Sequence, residues 1–165
     1  MIDNGTVTTL AGTAGSSGAT DATGTSARFS SPASITTDGT NLYVAEYGNH
    51  RIRKLVISSG VVTTLAGSTA GYLDNATGTS AMFNNPQGIT TDGTNLYVSE
   101  HGNDKIRKIV IDNGTVTTIA GSSEGFRDNA TGTSAMFDSP WGEMTTDGTY
   151  LYMSDTDNHR IRKIE

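Results

Sequence analysis

Acidic and basic side chains recur in this chain at a spacing that could support ion pairing or acid–base chemistry. A carboxylate ends a short apolar run in three similar stretches, and a basic residue follows five positions later. The pairs are Glu46 and Arg51, Glu100 and Lys105, and Asp155 and Arg160. Residues on either side of a short hairpin loop can pair, so we interpret them as repeated structural ion pairs. General acid or base chemistry is the weaker alternative, because residues that recur in every stretch cannot all be catalytic.

The histidines are the next candidates, because imidazole is a common metal ligand. The chain has three, His50, His101 and His159. His50 aligns with Asp104 in the next stretch, and His101 aligns with Tyr47 in the preceding one, so the three do not form a set of equal ligands. We therefore expect surface loop histidines rather than a metal centre.

Aspartates in three glycine-rich loops offer an oxygen-rich alternative. Asp21, Asp74 and Asp128 lie beside Thr and Asn residues, a combination that could suit calcium. The spacing differs from that of an EF-hand loop, and aspartates that cap their own turns explain the pattern without metal. The sequence thus predicts no catalytic residue, no metal and no cofactor.

The composition favours an all-β fold. The 165 residues include 34% hydrophobic residues, 20 glycines and 3 prolines, and short runs rich in Val, Ile, Thr and Tyr alternate with Asp-Gly, Asn-Gly and Ser-Gly pairs. The net charge of −6 argues against nucleic acid as a partner. There is no cysteine for a disulfide framework, and no stretch has the length or apolarity expected of a membrane span or a signal peptide. The localisation stays open.

One unit repeats three times along the chain. Residues 7–12 and 62–67 read VTTLAG and residues 116–121 read VTTIAG, a spacing of 55 and then 54 residues. Residues 74–83 and 128–137 are identical, which indicates recent amplification or an engineered or reconstructed origin. Because each unit is short, its apolar surface has to be buried against the neighbouring units.

The middle copy predicts four strands, at about 88–91, 96–99, 105–111 and 115–120, joined by tight Asp-Gly and Asn-Gly turns. A four-stranded antiparallel meander of this size cannot bury its own apolar face, but it can stack radially on identical neighbours. Radial stacking of such sheets is a β-propeller. A parallel β-helix is disfavoured, because its coils are much shorter than this repeat.

The repeat resembles the NHL repeat. The stretch that gives this family its name occurs as NHRI at residues 158–161 and 49–52, and it departs to NDKI at residues 103–106. The copies are also similar to a bacterial subgroup whose repeats run VTTLAGS, a Gly-rich loop, and then a Phe and a Pro before the first strand. The resemblance covers essentially the whole chain. It implies a six-bladed propeller of four-stranded blades that serves as a binding platform.

These features predict a single repeat domain over residues 1–165, equal to half of a six-bladed ring. Its units are about 1–28 with 29–57, then 58–111 and 112–165, and segment 6–12 is expected to complete a blade of a partner chain. Three blades are too few to close a ring, whereas two copies supply six.

We therefore expect a homodimer with strand exchange at both junctions, or the same junction inside a longer six-repeat protein. The junction residues are Val7, Thr8, Thr9, Leu10, Arg160, Ile161, Arg162 and Ile164.

The loops opposite the tight turns differ most between copies, so that face is the expected binding face. Its candidate residues are Tyr47, His50, His101, Asp104, Trp141, Glu143, Asp157 and His159. Trp141 is the sole tryptophan and aligns with Ala33 and Gln87. Beside it, Glu143 is an extra residue that suggests a β-bulge.

The first hypothesis for function is a non-enzymatic, self-assembling propeller that acts as a scaffold or as an interaction platform for a protein or small ligand. The resemblance implies an alternative, a metal-dependent propeller hydrolase or lyase with an ion in the central channel. Such a site needs convergent ligands from several inner strands, and here they offer only Glu143 beyond the turn aspartates. The resemblance also implies RNA binding in some family members, which the acidic balance disfavours.

Overall fold

The computed structural model describes residues 5–165, which contain eleven strands in three antiparallel sheets. Blade 1 consists of β1 (Pro32–Thr37), β2 (Asn41–Glu46), β3 (Arg51–Val56) and β4 (Val62–Ala66). Blade 2 consists of β5 (Pro86–Thr91), β6 (Asn95–Glu100), β7 (Lys105–Val110) and β8 (Val116–Ala120). Blade 3 consists of β9 (Met144–Thr146), β10 (Leu151–Asp155) and β11 (Arg160–Ile164). The expected all-β fold is confirmed.

The only helices in residues 5–165 are single 3₁₀ turns in the loops before each blade, at Gly24–Ser26, Gly78–Ser80 and Gly132–Ser134. None of them is long and apolar enough to cross a membrane. The repeated GTS sequence forms the same turn in all three loops. These turns precede the Ala and Phe residues that enter the core.

The strands predicted for the middle copy are confirmed to within two residues at each end. Each strand pairs with the next one along the chain, as expected for a meander. In the β5–β6 turn, Asp92 Oδ1 accepts the backbone N–H groups of Thr94 and Asn95 at 2.8 and 2.6 Å. Although burial alone would raise it, hydrogen bonds from Asn95 and its neighbours lower the pKa of Asp92 to about 2. The turn is therefore closed by its own side chains.

Blade 3 is shorter than the other two at its inner edge. Strand β9 spans three residues, against six in β1 and β5, and its pairing with β10 is regular from Met144 opposite Met153. The β-bulge suggested at Glu143 is wrong, because this residue precedes the ladder. Register shifts occur instead near the start of β1 and β5. The extra residue is accommodated because β9 starts after it.

The hydrophobic core lies between the blades. Between blades 1 and 2 it includes Tyr43, Ile52, Phe83 and Leu96, which are all fully buried. A second cluster fills the space between blades 2 and 3 around Phe137, Met144, Leu151 and Met153. Stacking between sheets thus buries what each meander cannot bury alone. Phe83 and Phe137, the repeated phenylalanines that precede the first strands of blades 2 and 3, are buried at these two interfaces.

Candidate functional site

A buried arginine in blade 2 connects strand β6 with the loop that precedes the blade. Arg107 has a fully buried side chain, and its Nη1 and Nη2 atoms donate to Glu100 Oε2 and Asp74 Oδ1, each at 2.7 Å. The guanidinium also donates to the carbonyls of Met82 and Leu73 at 3.0 Å. Burial raises the pKa of the Glu100 carboxyl, and the charge of Arg107 opposes that rise. The charge is thus paired and fully hydrogen-bonded, as a buried ion requires.

This arrangement corrects the predicted ion pairs. The partners of Glu46, Glu100 and Asp155 are Arg53, Arg107 and Arg162, at 2.8, 2.7 and 2.5 Å, and not Arg51, Lys105 and Arg160. Lys105 does face Glu100 across the ladder, yet the arginine two residues further lies deeper, where backbone carbonyls supply more acceptors. Lys105 Nζ donates to the Ser122 carbonyl at 2.6 Å instead, and the Arg160 guanidinium lies 4.1 Å from the Phe126 ring centroid.

The loop aspartates hold the outer strands in place. Asp74 Oδ2 accepts the Thr118 N–H at 2.9 Å, and Asp21 Oδ2 accepts the Thr64 N–H at the same distance. Turn and strand contacts therefore account for these aspartates. Within residues 5–165, no three His, Asp or Glu side chains are grouped so as to hold a metal ion.

The equivalent junction in blade 3 has no outer strand among the described residues. Asp128 binds Arg162 at 2.9 Å, but its side chain is 80% exposed, compared with 37% for Asp74. Ile161 on β11 is 76% exposed, whereas the equivalent Ile106 is fully buried. A groove of about 710 Å³ runs beside this edge and is lined by residues from blades 2 and 3. The repeated sequence thus leaves an open strand edge here.

The open edge of β11 lacks a strand, whereas segment 7–11 lacks a sheet. The segment reads VTTLA like β4, but it pairs with no strand among the described residues. The N–H of Gly12 donates to the Gly24 carbonyl at 3.2 Å, as that of Gly67 donates to the Gly78 carbonyl at 3.0 Å. The segment is therefore docked on the loop of blade 1 in the way that β4 docks on the loop of blade 2. However, Val7 is 93% exposed, while Val62, its equivalent in β4, is buried.

Two of the predicted binding-face residues join neighbouring blades instead of facing a ligand. His50 Nδ1 accepts the N–H of Asn85 at 3.1 Å, and Asp104 Oδ1 accepts the N–H of Ser139 at 3.2 Å. Burial lowers the pKa of His50 and raises that of Asp104. In blade 3 the equivalent His159 is exposed, as is Asp157.

Three other candidates form an aromatic cluster, although they come from three different blades. Tyr47 follows β2, His101 follows β6 and Trp141 precedes β9. The ring centroids of His101 and Trp141 are 4.1 Å apart, and that of Tyr47 lies 6.3 Å from His101 and 6.4 Å from Trp141. Trp141 is 45% exposed. The structure thus brings the equivalent residues Tyr47 and His101 together with Trp141, which occupies a different position of the repeat.

Two acceptor groups, on Glu143 and Gln87, belong to the same strand entries as the members of this cluster. Glu143 Oε2 accepts the hydroxyl of Ser34 at 3.0 Å, a contact between blades 3 and 1. Gln87 Oε1 and His101 Nδ1 are buried with no hydrogen-bond partner among the described residues. The sequence drew attention to Glu143, but it did not indicate that Gln87 would have a buried, unpaired oxygen. Alignment of Gln87 with Trp141 was the one available signal.

No protein-family model matches the sequence. NHL repeat-containing protein 2 from Gallus gallus is 35% identical over 92 residues, which is 54% of this chain and 12% of the relative. The counterpart from Homo sapiens is 28% identical over 75% of this chain and 19% of its own length. The chain therefore spans under a fifth of the length of these relatives.

The fold is similar to that of an auxiliary nutrient binding protein from Bacteroides ovatus. The TM-score is 0.65 with 25% identity, over 77% of this chain and 35% of that one. Together with the repeated NHL stretch and the stacked four-stranded sheets, these likenesses confirm the predicted resemblance to NHL-repeat β-propellers.

Proposed function

We propose that this chain is a non-catalytic, self-assembling propeller scaffold, in which two copies close a six-bladed ring that presents a binding face. The observation that carries the proposal is the open edge of β11, whose side chains are already arranged as in the two complete blades. The binding role is supported by the nutrient-binding protein of the same fold. The proposed occupant of the edge is segment 7–11 of a second copy.

The two complete blades define the expected register. Arg107 pairs with Thr118 and Ile109 with Val116 in blade 2, and blade 1 has the equivalent pairs. By equivalence, Arg162 would face Thr9 and Ile164 would face Val7 of the partner. The Thr9 N–H would then reach Asp128, as the Thr118 N–H reaches Asp74. Adding a strand at an edge satisfies its backbone hydrogen bonds, and Val7 would be buried as Val116 is in blade 2. Ile161 would be buried against the next blade of the ring, as its equivalent Ile106 is buried between blades 2 and 3.

A second incomplete surface supports a ring instead of an open pair. The face of blade 1 that points away from blade 2 carries Ile35, which is 57% exposed. The equivalent Ile89 in blade 2 is buried against blade 1. Blade 1 therefore lacks a stacking partner among the described residues. A twofold arrangement would place blade 3 of the second copy against this face. The same symmetry would therefore cover the exposed face of blade 1 and the open edge of β11.

Light scattering tests the assembly, with an expected mass of twice 17.2 kDa. Ile161→Lys should shift the protein to the monomer without unfolding it, because Ile161 is already exposed in the single chain. Ile57→Lys is the matched control, since Ile57 is also partly exposed but lies after β3, away from the edge. A wild-type monomer, or a dimer that survives Ile161→Lys, contradicts the proposal.

Disulfide trapping tests the register. Because the chain has no cysteine, the pair Val7→Cys and Ile164→Cys is free of competing thiols. Directly opposed strand residues lie within disulfide range, so oxidation should give a covalent dimer. The control pair, Val7→Cys and Lys163→Cys, is one residue out of register and places the thiols on opposite faces. Equal crosslinking by both pairs would refute the proposed pairing.

A further inference from the structure

The structure assigns a ligand site to the aromatic cluster, and we propose that it binds an organic cation of the amine class, such as an alkylammonium group. The site consists of Tyr47, His101 and Trp141, and we include Glu143 because it is the acidic residue nearest to Trp141 in the sequence. This inference rests on the proposed role as a binding platform, but all its residues belong to one chain. It is therefore independent of assembly.

The cluster is not part of the repeated framework. Trp141 aligns with Gln87 and Ala33, and His101 aligns with Tyr47 and with Thr156 in blade 3. Side chains that hold the blades together are the same in each copy, as the three buried arginines are. A cluster assembled only from the positions that vary has no equivalent role in the stacking of the blades, and loops on a rigid scaffold are where binding residues concentrate.

The exposed aromatic surface is suited to a cation. Trp141 is 45% exposed, even though it contacts His101. The face of an aromatic ring is electron-rich, and tryptophan gives the strongest attraction for ammonium and guanidinium groups. The ring of Tyr47 is inclined by 27° to that of Trp141 at a centroid distance of 6.4 Å, so a second aromatic ring adjoins the exposed tryptophan.

The polar groups around the rings indicate which ligand class is favoured. Among residues 5–165, no Lys, Arg or His nitrogen lies within ion-pairing distance of Glu143, whose one recorded contact is with Ser34. Glu143 and the Gln87 oxygen are hydrogen-bond acceptors, so the ligand has to supply donors or positive charge. A sugar would need donors from the protein as well. The acidic net charge of −6 also favours a cation.

The buried, unpaired atoms support a ligand site at this place. Gln87 follows Pro86, which pairs with Glu100 directly before His101, and it precedes Gly88, whose backbone lies against that of Gly142. Gln87 Oε1 and His101 Nδ1 are thus neighbours of the cluster and both lack a hydrogen-bond partner in the described structure. Unsatisfied buried acceptors are rare in folded proteins and call for a ligand, water or ion that completes them.

Fluorescence of Trp141, the sole tryptophan, is the direct readout. Choline is the probe, 3,3-dimethylbutanol is its uncharged analogue of the same shape, and glucose represents the sugar class. We expect choline to change the emission with a dissociation constant on the order of 1 mM, typical of a small ligand with few contacts. Binding of the analogue should be weaker by about threefold to thirtyfold.

Variants separate the parts of the site. Tyr47→Ala should weaken choline binding by about threefold or more, since it removes one aromatic face. Glu143→Gln should weaken choline binding and leave the analogue unaffected, whereas Asp157→Asn, a control carboxylate on the same loop face, should change neither. Equal binding of choline and its analogue, saturable binding of glucose alone, or no response from Glu143→Gln would each overturn the proposal.

Measurement on the Ile161→Lys monomer separates this inference from the proposed assembly. If the dimer is correct and the cation site is wrong, the mass halves and choline has no effect on either form. If the cation site is correct, the monomer retains choline binding with one site per chain, whatever the assembly state.

Discussion

Blades 2 and 3 contain nearly the same residues around one arginine, yet they differ in what covers them. In blade 2, β8 lies over Arg107 and Asp74, and the junction is closed. In blade 3, Arg162 keeps the contacts with Asp155, Asp128 and two backbone carbonyls, although no strand lies outside β11 in the described residues. The contacts of Arg162 that would receive an outer strand therefore form within the blade and its loop, without that strand.

This comparison shows which contacts belong to the blade and which belong to the incoming strand. Arg162 pairs with two carboxylates, as Arg107 does, at 2.5 and 2.9 Å compared with 2.7 Å for both pairs of Arg107. What differs is exposure, at Asp128 and Ile161. Two predictions use paired variants of blades 2 and 3 to test that division, and a third compares equivalent histidines of blades 1 and 3.

The largest effect is expected from removing the arginine. Arg107→Met leaves Glu100 buried without its partner, and we expect a loss of about 3–5 kcal/mol in the free energy of unfolding. Arg162→Met also leaves a buried carboxylate, Asp155, but it should cost less in the monomeric protein, because Arg162 is slightly exposed and its second partner, Asp128, is exposed to water. Urea unfolding of both variants on the Ile161→Lys background measures the difference. Equal losses would mean that the outer strand does not determine the burial of this site.

A smaller effect is expected at the loop aspartates. Asp74→Ala removes the acceptor for the Thr118 N–H and one partner of Arg107, which should cost about 1–3 kcal/mol. Asp128→Ala should cost under about 1 kcal/mol in the monomer, since its ion pair is largely exposed. In the dimer the two losses should become similar. Thermal unfolding of each variant with and without Ile161→Lys distinguishes these cases.

The smallest effect concerns pH. Burial holds the pKa of His50 below its usual value of 6.5 in the folded protein, so the unfolded chain binds more protons as the pH falls. Stability should therefore be full above about pH 6.5 and should decrease as the pH falls from there towards the folded pKa. We expect only a small loss of stability between about pH 7.5 and 5.5, because the imidazole is only partly buried.

His50→Asn should flatten this part of the stability curve relative to wild type, as followed by thermal unfolding. His159→Asn is the control, because the equivalent ring in blade 3 is exposed. A steeper loss of stability in His50→Asn than in wild type would contradict the assignment. Asp104 should have the opposite effect on stability. Because burial raises the pKa of Asp104, its contribution to stability increases as the pH falls through that raised value.

Most of the fold could be predicted because its determinants are local and repeated. The alternation of apolar residues and the Asp-Gly turns set the four strands of the middle copy to within two residues. The candidate site was harder. Tyr47, His101 and Trp141 were each proposed, but sequence spacing could not show that their rings meet, since they are contributed by three blades.

The ion pairs also show that sequence spacing does not identify which side chains meet, even for residues fewer than about ten positions apart. Counting along the chain identified the carboxylates Glu46, Glu100 and Asp155 correctly and selected the wrong basic partners. Lys105 and Arg107 lie on the same face of β7, so periodicity cannot separate them. Packing does, because Arg107 alone lies where carbonyls of the neighbouring loop complete its hydrogen bonds.

Local sequence is enough to specify the all-β class, the repeat and its strands, because hydrogen bonding between adjacent strands depends on turn chemistry and side-chain alternation that are encoded locally. The tertiary structure alone decided which arginines are buried, which residues bridge the blades and which rings cluster. Those outcomes depend on desolvation and on contacts between residues about 25 to 110 positions apart in the chain, which no local pattern specifies.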